Sequence, residues 1–74
     1  TLADIKRGES AIITTLLNTE CMMKLVEMGF YENKLLTVSA KSVASDPICI
    51  LLGNSKIMLR KKEAESVIVR ECTI

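Results

Sequence analysis

Residues 46–69, DPICILLGNSKIMLRKKEAESVIV, contain the pattern that decides the fold. Pro47 opens a strand, at a position where a missing backbone donor costs least. Along this strand Ile48, Ile50 and Leu52 face one way, whereas Cys49 and Leu51 face the other. Such alternation is typical of a strand with one face on a core.

The rest of this stretch predicts a turn, two more strands and a helical turn. The turn is Gly53-Asn54-Ser55, because Gly and Asn tolerate turn conformations. Next come a strand from Lys56 to Leu59, one helical turn over 61–65, and a strand from Val67 to Glu71. The predicted inward residues of these strands are Ile57, Leu59, Val67 and Val69.

Two strands are predicted upstream. Residues 1–9 lead in, with Leu2 and Ile5 reaching the core and a turn at Gly8-Glu9. Ser10 to Leu17 is rich in Ile and Thr, which favour strands. Lys34 to Lys41 alternates in the same way as the later strands. The inward candidates are Ala11, Ile13 and Leu16 in the first strand, and Leu36 and Val38 in the second.

A helix is predicted over about 20–28, between these two strands. Asn18 and Thr19 are candidate N-cap residues, and Gly29 is a common helix terminator. Cys21, Leu25 and Met28 recur at helical spacing, so they predict a stripe that faces the core. Asn33, after the helix, suits a left-handed turn.

Five short strands with two brief helices predict a mainly β, SH3-like small barrel, formed as a single domain over residues 1–74. Closing a sheet removes edges that would otherwise aggregate. Periodicity alone leaves an OB-fold or a split sheet open. The composition is 49% hydrophobic but only 3% aromatic, so we expect an aliphatic core.

The order of these elements resembles the FeoA family. The resemblance covers nearly the whole chain and rests on four short segments in order. They are Gly8-Glu9, Leu25-Val26-Glu27-Met28-Gly29, Asp46-Pro47-Ile48, and Leu59-Arg60-Lys61-Lys62-Glu63-Ala64 followed by Val67-Ile68-Val69. Two positions depart from the family pattern: Glu32-Asn33 replaces Pro-Gly, and Ser45 replaces Gly. Asn is the best substitute for Gly in a left-handed turn.

The resemblance implies a non-enzymatic, cytoplasmic accessory protein of bacterial ferrous iron uptake. Its implied partner is the cytoplasmic, GTPase-containing part of the FeoB transporter, and Arg60 is the arginine that matches the family pattern. A second reading is the SH3-like C-terminal regulatory domain of an iron- or manganese-dependent transcriptional repressor. The chain begins with Thr1 rather than Met, so an upstream DNA-binding region remains open.

Catalysis and cofactor binding find little support in the sequence. The chain has no His, the commonest general base, and its three glycines are isolated at turns. The three cysteines, Cys21, Cys49 and Cys72, have no metal-ligand or disulfide spacing, and we interpret them as buried, reduced thiols. Asp46, Glu63 and Glu65 are interpreted as surface carboxylates that at most bind a cation weakly. We therefore predict no catalytic residue, no metal site and no cofactor.

Nucleic acid and membrane are also unfavourable partners. The net charge is +1, and the only basic cluster, Arg60-Lys61-Lys62, is followed by Glu63 and Glu65. Only Phe30 and Tyr31 are available to stack on bases, whereas single-strand binders array several aromatics. No apolar run approaches the roughly 20 residues that span a bilayer. There is no signal-peptide pattern.

The candidate partner-binding residues are apolar positions that the core does not use, together with the basic cluster. On the predicted helix, Met22, Met23 and Val26 form a second apolar stripe away from the core stripe. Methionine suits adaptable interfaces. Cys49 and Leu51 lie on the non-core side of their strand, and Arg60, Lys61 and Lys62 offer charges for an acidic partner. The alternatives for the stripe are a cover for one end of the barrel or the seam of a homo-oligomer.

Because the sequence offers neither His nor paired thiolates, we expect the isolated domain to bind ferrous iron weakly. Anaerobic titration calorimetry should detect no site tighter than about the millimolar range. A stoichiometric micromolar site would contradict this prediction.

Overall fold

The five predicted strands and both helices form, with bounds close to the expected ones. The structure is a computed structural model that describes residues 1–42, 44 and 46–72. It comprises a 3-10 helix (Leu2–Asp4), β1 (Ser10–Leu16), α1 (Met22–Glu27), β2 (Leu35–Lys41), β3 (Ile48–Leu52), β4 (Ser55–Leu59), α2 (Lys61–Ala64) and β5 (Val67–Glu71). The 3-10 helix was not predicted. Part of the predicted 42–46 loop and the family-pattern position Ser45 lie outside the described residues.

All strands join one antiparallel sheet in the order β4-β3-β2-β1-β5. The register of β1 against β5 shifts between Ile13 and Thr15. The register of β2 against β3 shifts between Val38 and Ala40. Such irregularities bend a strand and increase its twist, which lets a short sheet curl around its core.

Two short helices occupy the space between the edge strands β4 and β5. Helix α2 contacts β4 and the 3-10 helix, which in turn contacts β5. Leu2 of the 3-10 helix is fully buried, and Lys41 Nζ donates to the carbonyl of Ala3 at 3.0 Å. The five-stranded sheet and its bridging helices match the predicted SH3-like small barrel.

The core follows most of the predicted alternation. The buried apolar residues are Leu2, Ile5, Ala11, Ile13, Leu25, Phe30, Leu36, Val38, Ile48, Ile50, Leu52, Leu59, Ala64 and Val67. Phe30 is fully buried, so the prediction of a purely aliphatic core was wrong, and this ring is not available to stack on a base. Three residues predicted to face inward, Leu16, Ile57 and Val69, are only half-buried; Ile57 and Val69 lie on the edge strands β4 and β5.

Helix α1 begins and ends differently in detail from the prediction. Cys21 rather than Asn18 or Thr19 is its N-cap residue, although Thr19 Oγ1 accepts the Cys21 N–H at 3.2 Å. Gly29 ends the helix with a φ of 100°, and Asn33 has a φ of 69°, as the sequence predicted. Leu25 is fully buried, and Cys21 and Met28 pack against the core beside it.

Replacing Leu25 with Ala should lower the free energy of unfolding by about 2–5 kcal/mol, because the side chain has no solvent exposure. Ile57→Ala should lose less, since Ile57 already contacts solvent. Denaturant unfolding measures both values. A loss under about 0.5 kcal/mol for Leu25→Ala would show that α1 does not pack as described.

Candidate partner-binding surface

Helix α1 presents three different sides. Successive residues turn by about 100°, so Met22 and Val26 lie on one flank, Lys24 on the opposite flank, and Met23 outward. Met23 is 70% exposed and Val26 46%, whereas Met22 is half-buried. The second apolar stripe predicted from the sequence is therefore at the surface.

A shallow cleft of about 190 Å³ borders the Met22–Val26 flank. It is lined by Thr15, Leu16, Met22, Val26, Phe30, Tyr31 and Glu32. The end of β1 and the connector after α1 supply the residues that the helix does not. Lys34 Nζ lies 5.2 Å from the centre of the Tyr31 ring and donates to its hydroxyl at 3.3 Å.

Two exposed apolar residues near α1 were missed as partner-binding candidates. Tyr31 is 53% exposed and lines this cleft. Leu17 is 42% exposed and lines a separate cleft with Glu20 and Lys62. The sequence signal for both is an apolar pair on either side of the predicted helix, Leu16-Leu17 before it and Phe30-Tyr31 after it.

The predicted basic cluster lies on the other side of α1. Arg60 precedes α2, and Lys61 and Lys62 begin it; all three side chains are exposed. The Lys62 ammonium pairs with Glu20, so its charge is compensated. The backbone N–H of Lys61 donates to Asp46 Oδ1 at 3.0 Å. Among the residues that the structure describes, Arg60 and Lys61 form no ion pair.

Glu63 is not the surface carboxylate that the sequence suggested. Only 10% of its side chain is exposed. Its Oε2 accepts Lys24 Nζ from α1 at 2.6 Å, and its Oε1 accepts the Arg60 N–H at 2.9 Å. Both bonds lower the pKa of the Glu63 carboxyl, and the bond from Lys24 has the larger effect. The carboxylate therefore joins α1 to the start of α2.

Cys49 and Leu51 lie on a separate surface. Both are half-buried on the outer face of β3, where Cys49 is paired with Met58 and Leu51 with Lys56 of β4. Met58 is 59% exposed. The structure thus divides the predicted partner-binding residues between the surroundings of α1 and the outer face of the sheet.

Neither a metal cluster nor a membrane-spanning helix is found within residues 1–42, 44 and 46–72. No three His, Cys, Asp or Glu side chains there are grouped so that they would hold a metal ion. No helix is long and apolar enough to cross a bilayer. The three cysteines are free and half-buried, not fully buried as expected from the sequence.

The sequence model of the FeoA domain matches residues 1–71. The chain belongs to the FeoA family. This membership implies an accessory role in ferrous iron transport. No curated protein sequence matches the chain significantly.

Solved structures share both the fold and the family name. Iron(II) transport protein A from Clostridium thermocellum is 34% identical, with a TM-score of 0.86 over 95% of this chain and 44% of that chain. This chain therefore spans less than half of that relative. FeoA from Stenotrophomonas maltophilia, a prokaryotic SH3 domain protein in complex with zinc, is 27% identical, with a TM-score of 0.85 over 95% and 88% of the two chains.

The same fold occurs in a manganese-dependent transcriptional repressor. That chain superposes with a TM-score of 0.86 but is only 14% identical, and the match covers 96% of this chain and 40% of the repressor. At this identity the likeness shows the fold alone.

The lowered pKa of Glu63 predicts how stability depends on pH. In the folded protein the pKa of the Glu63 carboxyl lies below its ordinary value of 4.5. In acid, therefore, the unfolded chain binds more protons at this group than the folded protein does. The stabilisation is present above about pH 4.5 and is lost as the pH falls through the folded-state pKa. Denaturant unfolding between pH 2 and 7 should show a shallower acid decline for Glu63→Gln than for the wild type. Equal slopes would contradict the prediction.

Proposed function

We propose that this protein binds the cytoplasmic, GTPase-containing part of a FeoB-type ferrous iron transporter and modulates the transporter by contact. Family membership supports the pathway. The observation that supports docking is the apolar surface on and beside α1, made of Met22, Met23, Val26 and Tyr31 and here called the α1 surface.

The grouping of the α1 surface is what favours an interface. Six large apolar side chains are exposed among the described residues, and three of them, Met23, Val26 and Tyr31, lie on α1 or line the cleft beside it. Single exposed apolar residues are ordinary, whereas several grouped at one cleft favour an interaction site. The adjoining cleft would receive an apolar side chain of the partner, and flexible methionines would adapt to it.

In this proposal the protein acts without chemistry of its own. A docked domain changes its partner by favouring the conformation that it binds better. Arg60 and Lys61, uncompensated within the described residues, would add electrostatic steering at the edge of the contact. Contact with the transporter's cytoplasmic domain places the protein in the cytoplasm.

A repressor's regulatory domain is the second candidate, because its fold superposes on nearly the whole of this chain. The complete reading frame separates the two candidates. A DNA-binding region upstream of Thr1 would favour the repressor, and a start codon just before Thr1 would exclude it.

A pair of methionine variants tests docking at the α1 surface. Met23→Glu should leave stability within about 0.5 kcal/mol, because the side chain is 70% exposed. It should weaken binding to the purified cytoplasmic domain of the transporter by about 1 kcal/mol or more, roughly fivefold. Titration calorimetry with and without guanine nucleotide measures this.

Met58→Glu is the matched control. Met58 is similarly exposed, at 59%, but lies on β4, away from α1, and its change should leave binding intact. Equal weakening by both variants would contradict docking confined to the α1 surface, because it would indicate a general charge effect or a contact at the outer face of β3 and β4. If Met23→Glu instead turns an oligomer into a monomer and binding persists, the α1 surface is a self-association seam.

A further inference from the structure

The family segment Leu59–Ala64 contains one charged residue that is buried, and the proposed docking does not use it. Glu63 is 8% exposed, and the only other buried polar residue described is Ser66. The neighbouring family-segment residue Arg60 is exposed. A carboxylate held so far from water requires partners that compensate its charge.

We infer that Glu63 is a positioning residue for the α1 surface, acting through Lys24. Its two oxygens have two different tasks. One accepts the Arg60 N–H and fixes the start of α2, and the other accepts the Lys24 ammonium and draws α1 against α2. The inference rests on the proposed function only in what the α1 surface is for.

Helix α1 needs such an anchor because it is short. It has six residues, too few to be stable without tertiary contacts. Within α1 only Leu25 is fully buried, and Cys21 and Met28, which also pack against the core, are its two cap residues. These three contacts lie on the core side and leave the two flanks of the helix without a buried side chain. Lys24 and Val26 lie roughly half a turn apart around the helix axis, on opposite flanks. The bond between Lys24 and Glu63 therefore helps to set the rotation of α1, and with it the angle at which Met22 and Val26 face their cleft.

Two hydroxyl and backbone contacts support the same junction. Thr19 Oγ1 and Ser66 Oγ lie 2.9 Å apart, and the Leu17 N–H donates to the Ser66 carbonyl at 2.8 Å. They fix the chain just before α1. Thr19 also bonds the start of the helix, where its carbonyl accepts the Met22 N–H at 3.1 Å and its Oγ1 accepts the Cys21 N–H at 3.2 Å. Within the described residues, the polar side-chain bond from α1 itself to α2 is the one between Lys24 and Glu63.

A second ion pair at the same junction provides an internal control. Lys62 of α2 pairs with Glu20, which lies just before α1, but both side chains are more than 70% exposed, at 73% and 71%. Exposed pairs contribute little because water and salt screen them. In the Lys24–Glu63 pair the lysine is also exposed, at 64%, and the difference lies in the carboxylate, which is 10% exposed. If any ion pair at this junction sufficed, Glu20→Gln would loosen α1 as much as Glu63→Gln. If the buried carboxylate is required, only Glu63→Gln loosens α1.

The first experiment follows α1 without a partner, by hydrogen exchange at its backbone amides, in the wild type and four variants. Glu63→Gln keeps an oxygen acceptor for the Arg60 N–H but loses the charge that holds Lys24. We expect exchange in α1 to rise by about tenfold, as for loss of a charge-assisted bond, with little change in β2 and β3. Lys24→Met should act similarly, Lys24→Arg should restore protection, and Glu20→Gln should change nothing.

The second experiment measures binding of the same variants to the transporter's cytoplasmic domain. Glu63→Gln and Lys24→Met should weaken binding by at least about fivefold, while Lys24→Arg and Glu20→Gln bind like the wild type. If Glu63→Gln proves too unstable, the Lys24→Met and Lys24→Arg comparison carries the same test.

The outcomes separate the inference from the proposed function. Unchanged exchange in α1 for Glu63→Gln and Lys24→Met overturns the inference, even if binding falls, because a direct contact at Lys24 would then explain the loss. Exchange that rises equally throughout the sheet also overturns it, since Glu63 would then serve global stability. If the wild type does not bind the transporter domain, the proposed function fails, and exchange alone decides whether Glu63 positions α1.

Discussion

The gap between the edge strands β4 and β5 is the constraint on which this small structure depends. A sheet of five short strands leaves two edges, and here α2 and the 3-10 helix lie between them. Leu2 and Ala64 are fully buried in these helices, next to Leu59 and Val67 at the ends of the strands. A chain of 74 residues has only one small core, so leaving this gap unfilled would expose much of it to water.

The small size of the core also leaves α1 partly exposed to solvent. Once the sheet and the two bridging helices enclose the core, only Leu25 of α1 is fully buried. The remaining apolar residues of α1 then have no interior to enter, which is why Met23 and Val26 are exposed. An apolar surface of this kind is a direct consequence of small size, and under the proposed function the transporter domain would cover it.

The sequence was sufficient for most of the elements and their faces, because alternation with period two is clear in β2 and β3. It failed where burial depends on distant contacts. Phe30 follows a helix end and has no periodic neighbours, so nothing local distinguishes a buried ring from an exposed one. Glu63 is charged and lies in a lysine-rich turn, and only the approach of Lys24, 39 positions earlier in the chain, explains its burial. The half-buried Ile57 reflects an edge position that strand order alone determines.

The candidate surface was predicted less completely than the fold, for a related reason. Helical spacing identified Met22, Met23 and Val26, but the cleft beside them combines β1, α1 and the connector after it, which no single periodic pattern joins. The basic cluster was found as a run of charges. The sequence did not indicate that Glu20 compensates Lys62, because 42 residues separate them.

The physical roles within the Leu59–Ala64 segment explain why a resemblance identifies the family more readily than the binding surface. Leu59 and Ala64 are fully buried, Arg60 is the extended N-cap of α2, and Glu63 accepts its N–H from three residues further on, a spacing that helix capping requires. Each of these roles helps to hold α2 between the edge strands β4 and β5. The exposed residues of the α1 surface satisfy no comparable packing or capping rule, so they are free to suit a partner. The family is therefore recognised from the residues that build the domain. The choice of partner depends instead on exposed residues, which the domain does not need for folding.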